Sequence, residues 1–393
     1  MRVLIITPYF KPALIYGGPV RSVDFLARGL MHAGCEVVVA TTNAFGDKNC
    51  EVAAHRFESG VSVYTFNRLF ARESFLRNFF LSTELIWYLN KNIKNFDIVH
   101  AQGIFIWPTV LCYLMANRFG VPFVISPRGS LSTWGLMQRR LKKLFFLQLI
   151  DRRVLSSALC VHYTANYEAA DVPIWARGLK SIVIPNALSF EEIGSTERGR
   201  KRLNCDSDEF IVGYVGRIHP KKRIDLLIRA TAGACQSRKV KLVIVGNGDP
   251  KVISELSRLV SELGVAERIT FTGQLDGTEL IDTYASFDVF TLPSHEENFG
   301  NVVVEALAQD TRVAVSPGVA LAPWLLEHGV GDVVSGTVQD WTKFLLSAHF
   351  RSHWPAEFHR VACQSHFDYR RVGVQMFEKL RFLLDSKAGR LLS

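Results

Sequence analysis

Short apolar runs alternate with segments in which apolar residues recur every three or four positions, and this pattern continues through most of the chain. The short runs predict buried parallel strands, because such strands are covered on both faces. The periodic segments predict amphipathic helices that pack on those strands. In the first half the predicted strands are 3–7, 37–41, 61–66, 97–100, 123–126, 159–163 and 181–184, and the predicted helices are 20–33, 75–94, 107–119 and 139–157.

A second alternation begins after a polar, charged segment, 189–208, which we interpret as a linker. Its predicted strands are 210–215, 240–245, 268–271, 288–292 and 312–316, with helices between them and one helix beginning near Gly300. The last stretch, 367–393, is amphipathic and predicts a closing helix. The pattern therefore predicts an α/β fold with two doubly wound domains in tandem, at 1–188 and 189–366.

Composition agrees with two globular domains and argues against a secreted or membrane-spanning protein. A chain of 393 residues exceeds the usual size of a single core, and 48% hydrophobic with 21% charged residues is an ordinary globular composition. The apolar run at the start is too short for a signal peptide, and no run is long enough to predict a membrane span. Seven cysteines without metal-binding spacing are typical of a reducing, cytoplasmic compartment.

Positive charge is concentrated in the first half. Residues 1–190 hold 21 Lys and Arg against 11 Asp and Glu, whereas residues 191–393 hold 25 against 26. The excess predicts an anionic partner, for which a membrane surface, a phosphorylated substrate and nucleic acid are candidates. The basic segment 139–157 has an apolar stripe, so it either lies on an anionic membrane or packs on its own domain. The stripe consists of Leu141, Leu144, Phe145 and Leu149.

Two cations follow the first predicted strand of the second domain. Arg217 and Lys222 lie in the loop at its carboxyl end, where open α/β sheets bind ligands. A guanidinium and an ammonium stabilise a departing diphosphate, because its negative charge grows as the bond breaks. The alternative is a solvated basic turn, since Lys221 and Arg223 are adjacent.

Two carboxylates bracket a polar turn after the predicted strand 288–292. Glu297 falls on the loop and Glu305 about two turns into the next helix, so both are candidates for contacting one ligand. The alternative is an ordinary solvated helix with Phe299 in the core. A weaker signal is Gly17-Gly18 before the first helix, where backbone amides can meet an anion, although glycines also simply make tight turns.

Together these residues resemble the retaining GT-B glycosyltransferases of family 4, which transfer a sugar from a nucleotide-diphosphate donor. Gly216-Arg217 with Lys222 matches the Gly-Arg-x4-Lys element of that family, and Glu297-x-Phe299-Gly300-x4-Glu305 matches its Glu-x7-Glu element. The segment 126–135, Ser-Pro-Arg-Gly-Ser-Leu-Ser-Thr-Trp-Gly, is similar to the subgroup that builds bacterial exopolysaccharide and other cell-envelope glycans.

The resemblance implies two Rossmann-like domains that face each other across a cleft, with the donor between them. Arg217 and Lys222 would hold the donor diphosphate, and Glu297 would contact the transferred sugar. No cofactor or dedicated metal would be needed, because the two cations take the place of one. The other donor-binding residues would be Gly17 and Gly18 near the diphosphate, Phe299, Gly300 and Asn301 near the sugar, Glu305 at the ribose, and Gly273 and Gln274 at the base.

The chain departs from the family pattern at several positions. Arg128 stands where many relatives have histidine, and it suits an anionic group better than a base. His100 is a second possible contact to the acceptor or to a phosphate. Arg223 and Asn298 each replace a usual glycine.

The resulting hypothesis is a hexosyltransferase that moves sugar from a UDP or GDP donor to a growing, lipid-linked polysaccharide at the inner face of the plasma membrane. The basic first domain would contact that anionic surface. The alternatives are a nucleotide-sugar epimerase of the same fold and a non-enzymatic anion-binding protein. Nucleic acid is not expected as a partner, because no stacking platform or DNA-reading motif is evident. Asp206-Ser-Asp208 spells a metal-binding pair of another transferase fold, but we interpret it as solvated.

Overall fold

The computed structural model describes residues 1–73, 76–137, 146–347 and 357–391. The chain divides into two compact units: the first contains residues 1–188 and 367–393, and the second contains residues 189–366. The last segment therefore belongs to the first unit. Within the described ranges, no helix combines the length and apolar character needed to cross a bilayer.

The described chain contains the following regular elements. The strands are β1 Arg2–Ile6, β2 Glu36–Thr42, β3 Ala44–Phe45, β4 Lys48–Asn49, β5 His55–Glu58, β6 Val61–Phe66, β7 Ile98–Gln102, β8 Phe123–Ser126, β9 Cys160–Tyr163, β10 Ser181–Val183, β11 Phe210–Val215, β12 Val240–Val245, β13 Ile269–Gly273, β14 Val289–Leu292, β15 Val313–Val315 and β16 Gly331–Val333. The α-helices are α1 Gly18–His32, α2 Thr83–Asn92, α3 Trp107–Phe119, α4 Thr133–Met137, α5 Arg152–Ser157, α6 Asn166–Ala170, α7 Ile174–Arg177, α8 Thr196–Arg202, α9 Ile224–Ala234, α10 Pro250–Glu262, α11 Gly277–Ser286, α12 Asn301–Ala308, α13 Ala322–His328, α14 Val338–Leu346, α15 Phe358–Phe367 and α16 Tyr369–Leu391. Single 3₁₀ turns occur at Leu14–Tyr16, Arg77–Phe79, Ile93–Asn95, Pro220–Lys222 and Ala266–Arg268, and a π-helical turn occurs at Leu147–Asp151.

The first unit is built on an eight-stranded sheet in the order β10-β9-β8-β7-β1-β2-β6-β5. β5 pairs antiparallel with β6, and the other neighbours pair in parallel. Its central strands are covered on both faces, which explains their continuous apolar runs. One face packs against α2 and α3, and the other packs against α1 and α16.

The last helix completes the core of the first unit. Its buried side chains share one apolar cluster with those of α1 and β1. The two helices approach so closely that a Cβ at Gly373 would lie 2.1 Å from backbone atoms of Gly29. Glycine on both helices, at Gly29 and Gly373, therefore allows this short separation.

The second unit contains an all-parallel, six-stranded sheet in the order β13-β12-β11-β14-β15-β16. Both units are thus doubly wound Rossmann-like domains, as the apolar pattern predicts. β11, β12 and β14 are fully buried strands, in keeping with their largely apolar sequences.

The structure corrects the interpretation of 189–208 as a linker, because this segment belongs to the second unit and contains α8. Ser195 caps that helix by accepting the Arg198 N–H at 3.2 Å. Gly199 faces α11, where a Cβ would lie 2.1 Å from the Asp282 carbonyl oxygen. A serine cap and one close glycine contact therefore order a segment whose composition suggests a linker.

Two predicted helices differ in extent from the structure. The helix expected at 75–94 begins at Thr83, where the Ser82 hydroxyl caps it. Residues 139–145 of the expected basic helix lie outside the described residues, as do the side chains of its apolar stripe. The described remainder is the π-helical turn and α5.

Candidate functional site

The candidate site lies at the carboxyl edge of the second sheet, where β11 is next to β14. The strand order reverses here, since β11 leads to β12 and β13 on one side while β14 leads to β15 and β16 on the other. Such a reversal opens the crevice in which doubly wound sheets bind ligands. The loop after β11 carries Arg217 and Lys222, and the loop after β14 carries Glu297. The fold therefore brings the three predicted catalytic residues to one edge.

Arg217 projects from a tightly packed turn. Gly216 adopts a φ of 151° and donates its N–H to the Val245 carbonyl at 3.0 Å. A Cβ at Gly246 would lie 2.0 Å from the Gly216 carbonyl oxygen, so the loops after β11 and β12 touch through their backbones. The Arg217 side chain is exposed, and the described part of the chain offers its guanidinium no hydrogen-bond or ion-pair partner. A rigid backbone thus carries a cation that can reach a ligand.

Lys222 ends the 3₁₀ turn Pro220–Lys222 and donates from Nζ to the Glu297 carboxylate. Both side chains are mostly buried, at 17% and 23% exposed. Partial exclusion of water strengthens such a pair relative to one on the open surface. The predicted diphosphate cation and the predicted sugar contact are therefore in direct contact.

A second lysine–glutamate pair runs beside the first. Lys221 Nζ lies 3.7 Å from Glu296 Oε1, and the Lys221 carbonyl accepts the His295 N–H at 2.9 Å. Burial lowers the pKa of Lys221, and the Glu296 and Glu297 carboxylates oppose this by raising it. His219 Nδ1 caps the turn by accepting the Lys221 N–H at 3.2 Å. Adjacent ion pairs and a backbone bond thus join the two loops.

The backbone of Glu297 is fastened to the loop after β15. Its N–H is donated to the Gly318 carbonyl at 2.9 Å, and its carbonyl accepts the Ala320 N–H at 3.0 Å. A Cβ at Gly318 would lie 1.9 Å from the His295 carbonyl oxygen, so this approach requires glycine. The Glu297 side chain is therefore held in place by three strand ends: β11, β14 and β15.

Glu305 is a buried residue of α12, 9% exposed, rather than a solvated helix position. Tyr284 donates its hydroxyl to Glu305 Oε2 at 2.8 Å. Glu305 is the fifth residue of the helix, so it lies just past the first turn and closer to the loop than the expected two turns. A carboxylate held this way presents acceptor oxygens in a fixed direction.

The residues that begin α12 divide between the core and the loop. Phe299 is buried, at 4% exposed, and Gly300 caps the helix with a φ of 97°. Asn301 is the first helical residue. Within the described residues, the Gly300 N–H has no acceptor, so this amide at a helix start can bind an anion or a hydroxyl.

Gly273 ends β13 and Gln274 follows it, at the far side of the same carboxyl edge. The Gly273 carbonyl accepts the Gly246 N–H at 2.8 Å, which joins the loops after β12 and β13. Gln274 is exposed and donates from Nε2 to Asp276 Oδ2 at 3.1 Å. The predicted base-binding residues therefore lie on the loop two strands away from Arg217.

In the first unit, Gly17 caps α1 with a φ of 70° and Gly18 is the first helical residue. The Gly17 N–H is already donated to the Leu14 carbonyl at 2.8 Å, which corrects the expectation that it is available to an anion. A Cβ at Gly17 would meet nothing within 4 Å. Its positive φ, and not crowding, accounts for glycine at this position.

Arg128 is the centre of a polar cluster at the carboxyl edge of the first sheet. It adopts a left-handed φ of 55°, donates from Nε to Gln102 Oε1 at 2.7 Å and donates from Nη1 to Asn186. Burial lowers its pKa to about 10, and Glu168 acts in the opposite direction. The guanidinium therefore stays charged at neutral pH, as an anion-binding group requires.

His100 is fully buried beside a second histidine, contrary to the expectation of an acceptor or phosphate contact. It is 0% exposed, and its Nε2 lies 3.2 Å from His162 Nδ1. His162 Nε2 must donate to the Ile184 carbonyl, 2.9 Å away, so its Nδ1 accepts the proton of His100. Burial lowers the pKa of both rings, that of His162 to about 3, so the pair is neutral and structural.

The structure accounts for arginine at 223. Arg223 adopts a φ of 53°, the left-handed conformation that glycine prefers, as it caps α9. Its guanidinium donates to the Gly336 carbonyl at 2.7 Å, which fixes the loop after β16. The side chain thus adds a bond that a glycine at this position would lack.

Three residues near these sites belong to no sequence motif and were not predicted: Tyr214, His162 and Tyr284. Tyr214 and His162 lie in buried strands and Tyr284 lies on the buried face of α11, so each ring is expected as core. The signal that sequence offers is a hydroxyl or imidazole among aliphatic neighbours, which requires a hydrogen-bond partner when buried.

The described residues contain no group of three or more His, Cys, Asp or Glu side chains arranged to hold a metal ion. Asp208 of the set-aside Asp-Ser-Asp motif pairs with Lys239, and both side chains are more than half exposed. This agrees with a solvated surface pair.

Comparison with known proteins follows the same division of the chain. Residues 17–187 match the model of the glycosyl transferase 4-like domain, and residues 195–344 match that of glycosyl transferases group 1. The Anabaena protein HepE, solved with UDP and glucose, superposes with a TM-score of 0.73 at 20% identity, covering 97% of this chain and 99% of its own. Sucrose-phosphate synthase of Thermosynechococcus elongatus gives 0.74 at 21%, covering 98% and 100%.

Curated relatives include two proteins named D-inositol 3-phosphate glycosyltransferase. That of Mycobacterium ulcerans is 35% identical over 42% of this chain, and that of Actinosynnema mirum is 28% identical over 68%. The chain spans 33% and 64% of the length of these relatives, respectively. The two Rossmann-like domains share the GT-B fold of these solved structures. The chain belongs to family 4 of the glycosyltransferases.

Proposed function

We propose that the protein is a retaining hexosyltransferase that moves a sugar from a UDP or GDP donor to a growing, lipid-linked bacterial polysaccharide. The observation that carries the proposal is the contact between Lys222 Nζ and the Glu297 carboxylate, with Arg217 exposed on the same edge. A diphosphate and its attached sugar require a cation and an acceptor carboxylate at adjacent points. This edge supplies both.

The two cations would lower the barrier to breaking the bond between sugar and phosphate. Arg217 and Lys222 would neutralise the charge that grows on the diphosphate as it leaves, which stabilises the transition state more than the bound substrate. Lys222 would exchange part of its contact with Glu297 for the phosphate. No dedicated metal is included in this proposal, since the two side chains provide the positive charge.

The sugar, ribose and base of the donor would bind at other loops along the same carboxyl edge as Arg217. Glu297 and the Gly300 N–H would bind the sugar, the buried Glu305 would accept from the ribose hydroxyls, and Gly273 with Gln274 would contact the base. Phe299 and Asn301 would complete the donor contacts of the second unit. Support for a uridine nucleotide comes from HepE, which was solved with UDP and with UDP-glucose.

Arg128 supports an anionic acceptor. Its guanidinium is held by Gln102 and Asn186 at the carboxyl edge of the first sheet, where a phosphate of a lipid-linked acceptor would bind. A second candidate acceptor is a small phosphorylated polyol, which the names of the D-inositol 3-phosphate glycosyltransferases favour. Both acceptors would use the same phosphate contact.

The decisive experiment measures sugar transfer and UDP release for the wild type, Lys222→Met and Glu297→Gln. We expect each substitution to lower kcat/KM by about 100-fold, as removal of a transition-state contact does. Lys239→Met and Asp208→Asn form a matched control, because they break an exposed lysine–carboxylate pair of the same unit. Unchanged turnover in Lys222→Met and Glu297→Gln would refute the proposal.

The same assay distinguishes between the two candidate acceptors, and between a transferase, an epimerase and a non-enzymatic anion-binding protein. Transfer to a diphosphate-linked lipid glycan, with retention of the anomeric configuration by NMR, supports the first acceptor, and transfer to phosphorylated inositol supports the second. Free UDP with a rearranged sugar in the absence of acceptor identifies an epimerase. An absence of nucleotide-sugar binding would leave only an anion-binding role.

A further inference from the structure

The peptide unit between Arg217 and Ile218 is held at both of its polar groups. Tyr214, on β11, donates its phenolic O–H to the Arg217 carbonyl at 3.0 Å. The N–H of the same unit belongs to Ile218 and is donated to the Asn247 carbonyl at 2.8 Å. A planar trans peptide points these two groups in opposite directions. The plane that carries Arg217 is therefore fixed from one side by a hydroxyl and from the other by a neighbouring loop.

The packing around this peptide leaves it little freedom to turn. A Cβ at Gly248 would lie 2.2 Å from the Ile218 carbonyl oxygen, so the loops after β11 and β12 touch again on this side. A Cβ at Gly216 would lie 3.1 Å from the Tyr214 oxygen, which places that oxygen directly under the turn. The hydroxyl and the turn are thus fitted to each other.

Only the hydroxyl oxygen distinguishes Tyr214 from phenylalanine. The side chain is 0% exposed in an otherwise apolar strand, where a phenylalanine ring would pack in the same place and lack that oxygen. Burying a hydroxyl costs free energy unless it forms a hydrogen bond. The bond to the Arg217 carbonyl is therefore the feature that distinguishes tyrosine from phenylalanine here.

The hydroxyl is also a permanent donor. Burial raises the pKa of Tyr214 well above its ordinary value, and the negative charge of Glu297 raises it further, against a smaller opposing effect of Arg217. The phenol thus lies within electrostatic reach of both residues. It remains protonated across the physiological range and keeps donating to the Arg217 carbonyl.

We propose that Tyr214 is a positioning residue for Arg217, and that its hydroxyl sets the direction from which the guanidinium meets the donor diphosphate. The inference rests on the proposed function of Arg217. No described side chain steers the exposed guanidinium, so its approach depends on the orientation of its own backbone. A bidentate contact to phosphate oxygens tolerates little misalignment.

The test is a double-mutant cycle with Tyr214→Phe, Arg217→Ala and the double variant, read out as UDP affinity by titration calorimetry. Loss of one hydrogen bond predicts about five- to tenfold weaker UDP binding in Tyr214→Phe. In the Arg217→Ala background, the same change is expected to weaken binding by less than about twofold, because the group it positions is gone. A purely structural tyrosine would give the same factor in both backgrounds.

Thr342→Val is the matched control. The Thr342 hydroxyl is half-buried and donates to the Val338 carbonyl at 2.8 Å within α14, a helix that carries none of the proposed site residues. We expect it to lower thermal stability as Tyr214→Phe does, without changing UDP affinity. The inference is overturned if Tyr214→Phe binds UDP like the wild type, or if its effect persists in Arg217→Ala. If Arg217→Ala alone leaves UDP affinity unchanged, the role proposed for Arg217 is wrong, and that of Tyr214 falls with it.

Discussion

Single residues in the left-handed backbone region show how this chain places side chains where glycine is expected. Arg223 and Arg128 both adopt this conformation, at φ values of 53° and 55°. Each accepts the strain of a Cβ in that region, and each uses its guanidinium to bond a neighbouring loop. The strain and the bond can be separated by substitution.

We expect Arg223→Gly to be more stable than Arg223→Ala by about 1 kcal/mol, because both lose the bond to Gly336 but only glycine relieves the backbone. Urea unfolding of the two variants measures the difference. Arg229, an exposed residue inside α9, is the control position, and there alanine is expected to be the more stable by about 1 kcal/mol. The same order at both positions would contradict the argument.

Sequence identified the charged members of the candidate site but not the groups that hold them. Arg217, Lys222 and Glu297 stand in spaced motifs beside predicted strand ends, so their convergence follows from a parallel sheet. The partners of Tyr214 and His162 include backbone carbonyls, which no residue pattern displays. These contacts can be identified only from the three-dimensional structure.

At the scale of elements, the buried apolar strands were predictable, and so were the short β10 and β15, whereas β5 and β16 were not. β11 and β12 match the predicted bounds, because their runs are buried on both faces. The edge strands β5 and β16 contain no fully buried residue, since β5 alternates between exposed and half-buried positions and β16 is half-buried throughout. Their order depends on pairing with a neighbour.

The contact between α1 and α16 is the element-scale feature most sensitive to a single methyl group. Gly373→Ala would place a Cβ 2.1 Å from the Gly29 backbone, so the helices must separate. We expect a loss of about 1–3 kcal/mol in the free energy of unfolding, as for other overpacked interiors. Thermal unfolding monitored by circular dichroism measures the loss.

Gly178→Ala is the control for that substitution. Gly178 belongs to the same unit, has a φ of −82°, and would place its Cβ where nothing lies within 4 Å. It is expected to be neutral or slightly stabilising, since alanine restricts the unfolded chain. Equal effects of the two alanines would show that close helix packing is not the cause.

At the scale of the whole molecule, the uneven distribution of charge along the chain predicts binding to an anionic membrane surface. Residues 1–190 carry the entire positive excess, and the proposed lipid-linked acceptor lies at an anionic surface. We expect the full chain to sediment with vesicles containing phosphatidylglycerol at low salt and to be released at 1 M salt, where the Debye length falls to about 3 Å. Neutral phosphatidylcholine vesicles are the control, and equal binding to both would argue against an electrostatic contact.

Residues 367–393 belong to the first unit, and this affects the order in which the two units fold during translation. The second unit is contiguous in sequence, so it has all of its strands before the final helix leaves the ribosome. The first unit emerges earlier but lacks α16, and one face of its sheet and α1 remain partly uncovered until that helix has been synthesised. The usual order, in which the amino-terminal domain finishes folding first, is therefore expected to be reversed in this protein.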